Sequence, residues 1–201
     1  MGRVKGGQSW FERQSRDTYT KKAKHAGLRS RSAFKLEQIQ TKYSLIRKHD
    51  TVFDLGASPG GWSQYLRKIA KEVVSCDLLD MKQIENVHFI QGDFTDPEVQ
   101  LKMVTASNAT PMVICSDMSP NITGIKEADV ANTLALNEKV IHFSKLHLRK
   151  NGYLIIKVFE NTDIHIIVDA LKKDFSRVIH FKPDASRSTS REFYLIGYKK
   201  K

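Results

Sequence analysis

A lysine sits where a sheet protein has little use for one. Lys157 falls in the middle of the run YLIIKVF, with apolar neighbours on both sides. An ammonium on a strand covered on both faces is costly unless carboxylates meet it. Two carboxylates stand at the ends of other strand-like runs: Asp117 closes ICSDMSPN and Glu192 opens SREFYLIGY. A lysine so placed can be half of a structural ion pair, or an edge residue whose head reaches water. It can also accept a proton or stabilise an anion, if the fold brings it to a hydroxyl. With carboxylates at neighbouring strand ends, the catalytic reading is the stronger.

A second group of residues reads as a ligand site. DLGASPGGW places Gly56, Gly60 and Gly61 between an apolar run and an amphipathic stretch, where doubly wound folds admit a nucleotide. The order is neither G-x-G-x-x-G nor a P-loop, and Pro59 removes a backbone donor that a diphosphate cradle would use. That disfavours a dinucleotide, and with it a nicotinamide dehydrogenase. It favours a ligand without phosphate, such as S-adenosylmethionine. Asp77 ends VVSCD, 21 residues after Gly56, where an acid reaches both hydroxyls of a ribose. Asp93, in FIQGDF, is placed to accept from an adenine amino group, or else to cap a helix or hold a turn.

The elements that must position these residues alternate along the chain. TVFDLG, EVVSCDLL, NVHFIQGD, PMVICSDM and YLIIKVF read as strands. GGWSQYLRKIA, DPEVQLKMV, a long stretch from about Ala128 to Leu148, and TDIHIIVDALKKDF read as helices. RVIHFK and REFYLIGYK are strands with no helix between them, so they should pair antiparallel, the last inserted or at an edge. The fold class is α/β: a doubly wound, Rossmann-like, mostly parallel sheet with an antiparallel last strand. Ahead of it, Ser32 reads as the N-cap of SAFKLEQIQTKY, with a stripe of Phe34, Leu36, Ile39 and Tyr43. Residues 17–27 form a basic helix stopped at Gly27, and residues 1–16 form a polar arm. The expected organisation is an arm and helix over 1–28 and a single domain over 29–201.

The charge is concentrated. Residues 1–50 hold 13 Lys and Arg against 4 Asp and Glu, whereas the other 151 hold 20 against 18. A local basic region favours a polyanion through counterion release and steering, although a solvated basic helix has the same composition. No apolar run approaches the roughly 20 residues that cross a bilayer, and the N-terminus lacks an apolar signal core. Cys76 and Cys115 lie in strand-like runs, with neither disulfide nor metal-ligand spacing. A reducing cytoplasm, no metal, no membrane and a monomer are the expectations.

Taken together, DLGASPGGWSQYL, SCDLLDM, FIQGDF, CSDMSPNITG, IIKVFE and SREFYLIG resemble the FtsJ family of large-subunit ribosomal RNA ribose methyltransferases, from about Arg29 to Tyr198. The resemblance implies a tetrad of Lys35 (in SAFKL), Asp117, Lys157 and Glu192, and cofactor contacts from Gly60, Trp62, Asp77, Asp93 and Asp117. It implies S-adenosylmethionine as cofactor and a uridine 2′-hydroxyl of 23S-type RNA as acceptor, within the assembled large subunit, with no role for DNA. Ser58 departs from the family's alanine, a change between small residues. Transfer RNA, at anticodon-loop riboses, is the rival substrate. A binding module without catalysis would account for the charge but not for the tetrad, and a small-molecule methyltransferase would not account for the basic arm. Lys157 must be neutral part of the time to accept a proton. Burial and Lys35 favour that form, while Asp117 and Glu192 favour the ammonium. Lys35 is expected to bind the target phosphate, Glu192 to hold the ribose or Lys157, and Arg29, Arg31, Arg187 and Arg191 to line the RNA path.

Overall fold

The computed structural model describes residues 18–121, 123–160, 163–187 and 190–201. The polar arm expected over residues 1–16 lies outside them. Seven strands make one sheet: β1 (Thr51–Leu55), β2 (Glu72–Asp77), β3 (His88–Gln91), β4 (Val113–Ser116), β5 (Tyr153–Phe159), β6 (Phe175–Phe181) and β7 (Glu192–Lys200). Their order across the sheet is β3-β2-β1-β4-β5-β7-β6. β1 to β5 are mutually parallel, and β7 runs antiparallel to both β5 and β6. The last strand is therefore inserted between its two predecessors. β6 follows a helix that runs straight into it, and its register with β7 leaves room for one strand beside β5.

Among the described residues the helices are α1 (Thr18–His25), α2 (Ala33–Tyr43), α3 (Gly61–Leu66), α4 (Pro97–Thr105), α5 (Lys126–His147) and α6 (Ile164–Asp174). Strand periodicity splits the core into two clusters. Phe53, Leu154, Ile156, Val158 and Leu195 pack with Met103 of α4, Phe143 of α5 and Leu171 of α6. Val52, Cys115, Ile155, Tyr194 and Ile196 pack with Leu36 and Ile39 of α2 and with Trp62 and Leu66 of α3. On β5 the residues alternate between these faces, so Lys157 belongs with Ile155 on the α2–α3 side. Each face buries a row of branched side chains, and at about 25 cal/mol per Å² this apolar burial is the main favourable term in folding.

Local signals act as expected in most places. Gly27 adopts φ +62 after α1, and Leu28 N–H donates to Ala23 O at 2.9 Å, a Schellman stop. Asp96 caps α4 with its carboxylate on Glu98 N–H at 2.8 Å, and Pro97 opens that helix. Two local expectations need correction. Ser32 precedes α2, but its backbone is already helical and its side chain makes no capping bond; instead its own N–H donates to Ser30 Oγ at 3.1 Å. α3 is also shorter than its pattern, giving way to turns after Leu66.

The end of β7 fastens two helices on the α5–α6 side. Lys200 Nζ donates to the carbonyls of Ser144 (3.1 Å), Lys145 (2.7 Å) and Leu148 (2.8 Å) around the C-terminus of α5, where Ser144 O also accepts from Leu148 N–H. Lys201 Nζ does the same for Lys172 (2.7 Å) and Lys173 (3.2 Å) of α6. A cation there satisfies orphan carbonyls and complements the helix dipole. Replacing Lys200 with Met should therefore cost about 1–2 kcal/mol, a fall in Tm of roughly 3–6 °C. A melting curve that superimposes on the wild type would show that the cap contributes nothing.

Candidate active site

The C-terminal ends of β1, β2 and β4 and the start of β7 meet at one end of the sheet. The turn after β1 is held from β2: Gly56 and Ala57 N–H both donate to Cys76 O, at 2.8 and 3.2 Å. Asp77 binds this turn through Ser58 N–H (2.8 Å, to Oδ2) and its own following loop through Leu79 N–H (2.8 Å, to Oδ1). Each carboxylate oxygen has two acceptor sites, so both can still take a ribose hydroxyl. Asp93 does not cap a helix; its Oδ1 accepts from Thr95 N–H and Oγ1, both at 2.8 Å, which leaves Oδ2 for a donor such as an amino group. Gly60 adopts φ +104, and a Cβ there would lie 2.8 Å from both Met81 Sδ and Ile84 Cδ1. Those side-chain ends could shift, but any other residue would be strained at this positive φ, so the turn suits glycine.

Trp62 is where the structure narrows an expectation. Its indole is 2% exposed, with Nε1–H on Ser32 O at 2.8 Å. What it can offer a ligand is its backbone N–H in the first turn of α3. The carboxylates of Asp77, Asp93 and Asp117 border this end of the sheet, an acidic setting that suits a sulfonium cation with free hydroxyls and opposes a diphosphate.

The four tetrad residues gather as two ion pairs. Lys157 Nζ lies 3.3 Å from Asp117 Oδ1 and also donates to Asp117 O. Lys35 Nζ lies 2.5 Å from Glu192 Oε1. Glu192 thus faces Lys35 rather than holding Lys157. Burial pushes the Glu192 carboxyl up, but Lys35 and then Lys157 outweigh it and hold it below its usual value. Both lysines are about nine-tenths buried.

Tyr194 joins the pairs, and sequence reasoning missed it. It is the cross-strand partner of Lys157 and is fully buried. Its hydroxyl donates to Asp117 Oδ1 at 2.6 Å, and Lys35 Nζ sits 6.0 Å from its ring centroid. Its ring also packs against Trp62, with centroids 5.7 Å apart. Burial, then Asp117, holds the phenol well above its ordinary range, so it remains a donor. The available signal was the tyrosine two positions after Glu192, on the same face of a period-two strand.

Of the arginines, Arg31 donates to Ala185 O, and Arg187 and Arg191 are exposed. Arg29 directs its guanidinium at protein carbonyls, those of Pro59 (3.3 Å), Lys82 (2.6 Å) and Gln83 (2.8 Å). On α1, Lys21, Lys22 and Lys24 are exposed.

Beneath the glycine turn lies a buried polar floor, also unmarked by sequence reasoning. Asp54 of β1 accepts from Ser63 Oγ at 2.6 Å, and Ser63 Oγ is 2.7 Å from Ser75 Oγ. Burial pushes the Asp54 carboxyl up to about 7; Asp117 adds to the shift and the Ser63 hydrogen bond opposes it. Below about pH 4 Asp54 is protonated folded or unfolded, and between about 4 and 7 the folded chain alone keeps the proton. Stability from this group is therefore lost as pH rises through that window. Asp54→Asn should gain on the wild type by about 5 °C in Tm between pH 5 and pH 8. A constant difference across that range would show that Asp54 does not titrate there.

Known proteins resemble this chain over nearly its whole length. Residues 28–200 match the family model of the FtsJ-like methyltransferases. The chain is 40% identical over 201 residues to the ribosomal RNA large subunit methyltransferase E of Hahella chejuensis, covering 98% of each. It is 39% identical over 201 residues to the protein of the same name from Francisella tularensis, again covering 98% of each. A solved structure described as a ribosomal RNA methyltransferase of Plasmodium falciparum superimposes with a TM-score of 0.77 at 27% identity, covering 86% of this chain and 98% of that one. The chain belongs to the FtsJ-like methyltransferase family, enzymes that use S-adenosylmethionine.

Proposed function

We propose that this protein methylates the 2′-hydroxyl of a uridine in 23S-type large-subunit ribosomal RNA, acting as a monomer in the cytoplasm on the assembled subunit. The observation that carries the reading is the pair of ion pairs, Lys157–Asp117 and Lys35–Glu192, joined by Tyr194 at the end of the sheet that bears the glycine turn. When bound, S-adenosylmethionine supplies an already activated methyl group, so positioning and proton removal are what remain for the protein. Asp77 holds the ribose hydroxyls of the cofactor, Asp93 its adenine amino group, and the backbone of Gly60 and Trp62 lines the turn.

Lys157 takes the proton of the acceptor hydroxyl as that oxygen takes the methyl group, and the ammonium so formed stabilises the negative charge developing on the oxygen. Asp117 fixes where Lys157 points by accepting from it with both side chain and backbone, and faces the cofactor. Tyr194 donates to the same Asp117 oxygen and so helps fix that carboxylate beside Lys157. Lys35 meets the phosphate beside the target, with Glu192 keeping it in place. The exposed lysines of α1, with Arg187 and Arg191, draw the RNA backbone in. The methyltransferase domain spans 29–201, and residues 1–28 serve it as the basic arm and helix.

The test is transfer of tritium from methyl-labelled S-adenosylmethionine to unmodified large subunits, free large-subunit RNA and bulk tRNA. Label should enter the large subunits and leave one linkage resistant to alkali. Lys157→Ala should lower the rate at least ~10²-fold, with cofactor affinity within about threefold of wild type. Label confined to tRNA would overturn the ribosomal substrate, and a fully active Lys157→Ala would overturn the role of Lys157.

A further inference from the structure

Between the basic helix α1 and helix α2, which carries Lys35, runs a short strap, residues 27–32. It is bonded to the glycine turn and its helix along most of its length. Gln64 of α3 grips it twice: its Nε2 donates to Gly27 O at 2.9 Å, and its Oε1 accepts from Arg29 N–H at 2.9 Å. Trp62 Nε1 donates to Ser32 O at 2.8 Å. At Gly61, a Cβ would fall 2.8 Å from Ser30 Cβ and from Ser32 Oγ, so strap and helix touch there without side chains between them.

Arg29 stands at the centre of this strap, and its guanidinium reaches past α3 to two loops at once. Nη1 donates to Pro59 O, inside the glycine turn, at 3.3 Å, and to Lys82 O at 2.6 Å, while Nη2 donates to Gln83 O at 2.8 Å. Residues 82 and 83 follow Asp77 on the loop that leaves β2. Gly60 closes the gap between them, since a Cβ there would lie 3.0 Å from Arg29 Nη1. A planar guanidinium presents several N–H groups in a fixed fork, and here that fork ties together the two loops that bound the cofactor side of the site.

We propose that Arg29 is a positioning residue for the cofactor rather than an RNA contact. It sets the spacing between the glycine turn and the loop after Asp77, and through the strap it joins that spacing to the element bearing the exposed α1 lysines. A lysine cannot replace it, because one ammonium lacks the fork that spans Pro59 on one side and Lys82–Gln83 on the other. Ordering two loops in advance strengthens binding by lowering the cost of ordering them on contact.

The inference rests on S-adenosylmethionine as cofactor but not on which RNA is methylated. It is tested by titrating the full chain with S-adenosylhomocysteine, with RNA binding measured in parallel at several salt concentrations. Arg29→Met should raise the Kd for S-adenosylhomocysteine about tenfold, and Arg29→Lys should recover only part of the loss. RNA affinity and its salt slope should stay at wild-type values, whereas removing a phosphate contact would lower the slope by about one. Gln64→Met, which loosens the strap and leaves the guanidinium intact, should raise the same Kd about threefold and serves if Arg29→Met does not fold. Measured well below Tm, cofactor Kd does not respond to a loss of global stability alone. A cofactor Kd within twofold of wild type in both variants would overturn the proposal, as would weaker RNA binding with a flatter salt slope in Arg29→Met. Wild-type protein that bound no S-adenosylhomocysteine would instead overturn the assignment of the cofactor.

Discussion

The contact between Lys157 and Asp117 is the constraint around which this site is arranged. An ammonium in the second apolar cluster would be expelled or neutralised if it stood alone. It stays because Asp117 meets it with a carboxylate at 3.3 Å and a backbone carbonyl besides. Such a pair adds little to stability relative to well-packed apolar side chains. A buried pair that stability does not explain points to chemistry, here a nitrogen held at a fixed place near the end of β4. Sheet order makes the meeting possible, since β4 and β5 are parallel neighbours and Asp117 lies one residue past the end of β4.

Other features follow from that pair. Asp117 also accepts from Tyr194, so β7 must lie beside β5 with Tyr194 opposite Lys157, the register the insertion provides. Glu192, two residues earlier on the same face, then meets Lys35 from α2. Lys35 reaches it because α2 packs over this face through Leu36 and Ile39. On the cofactor side Asp54 lies under the turn, kept neutral up to about pH 7 by its burial. A second full negative charge so close to Asp117 would compete for the same cations.

Much of this was legible in the sequence because it depends on chain order. Strand and helix periodicity marked the alternating architecture, a break in that periodicity marked Lys157, and the spacing of Gly56 and Asp77 marked the turn and its acid. What was hidden depends on which groups meet across long separations. Arg29 looked like part of a basic patch, because composition cannot tell a guanidinium facing solvent from one facing Pro59 and Lys82. Ser32 takes the N-cap position of α2 as its sequence suggests, but the absence of a capping bond from its side chain depends on local geometry that sequence does not carry. Tyr194 and Asp54 each sit in an apolar run where a polar atom is noticed only once its partner is known.

The insertion of β7 between β5 and β6 bears on synthesis as well as on chemistry. As the chain leaves the ribosome, β1 to β4 and their helices come first, and with them the glycine turn and the loop after Asp77. β6 arrives next but has no neighbour to pair with, because the place beside β5 belongs to a strand not yet made. Only when β7 slides into that slot do Tyr194 and Glu192 reach the lysines. The half that carries the glycine turn thus precedes in the chain the half that completes the ion pairs. The chemistry of the tetrad is completed by the last strand in chain order, which brings Tyr194 to Asp117 and Glu192 to Lys35 in one step.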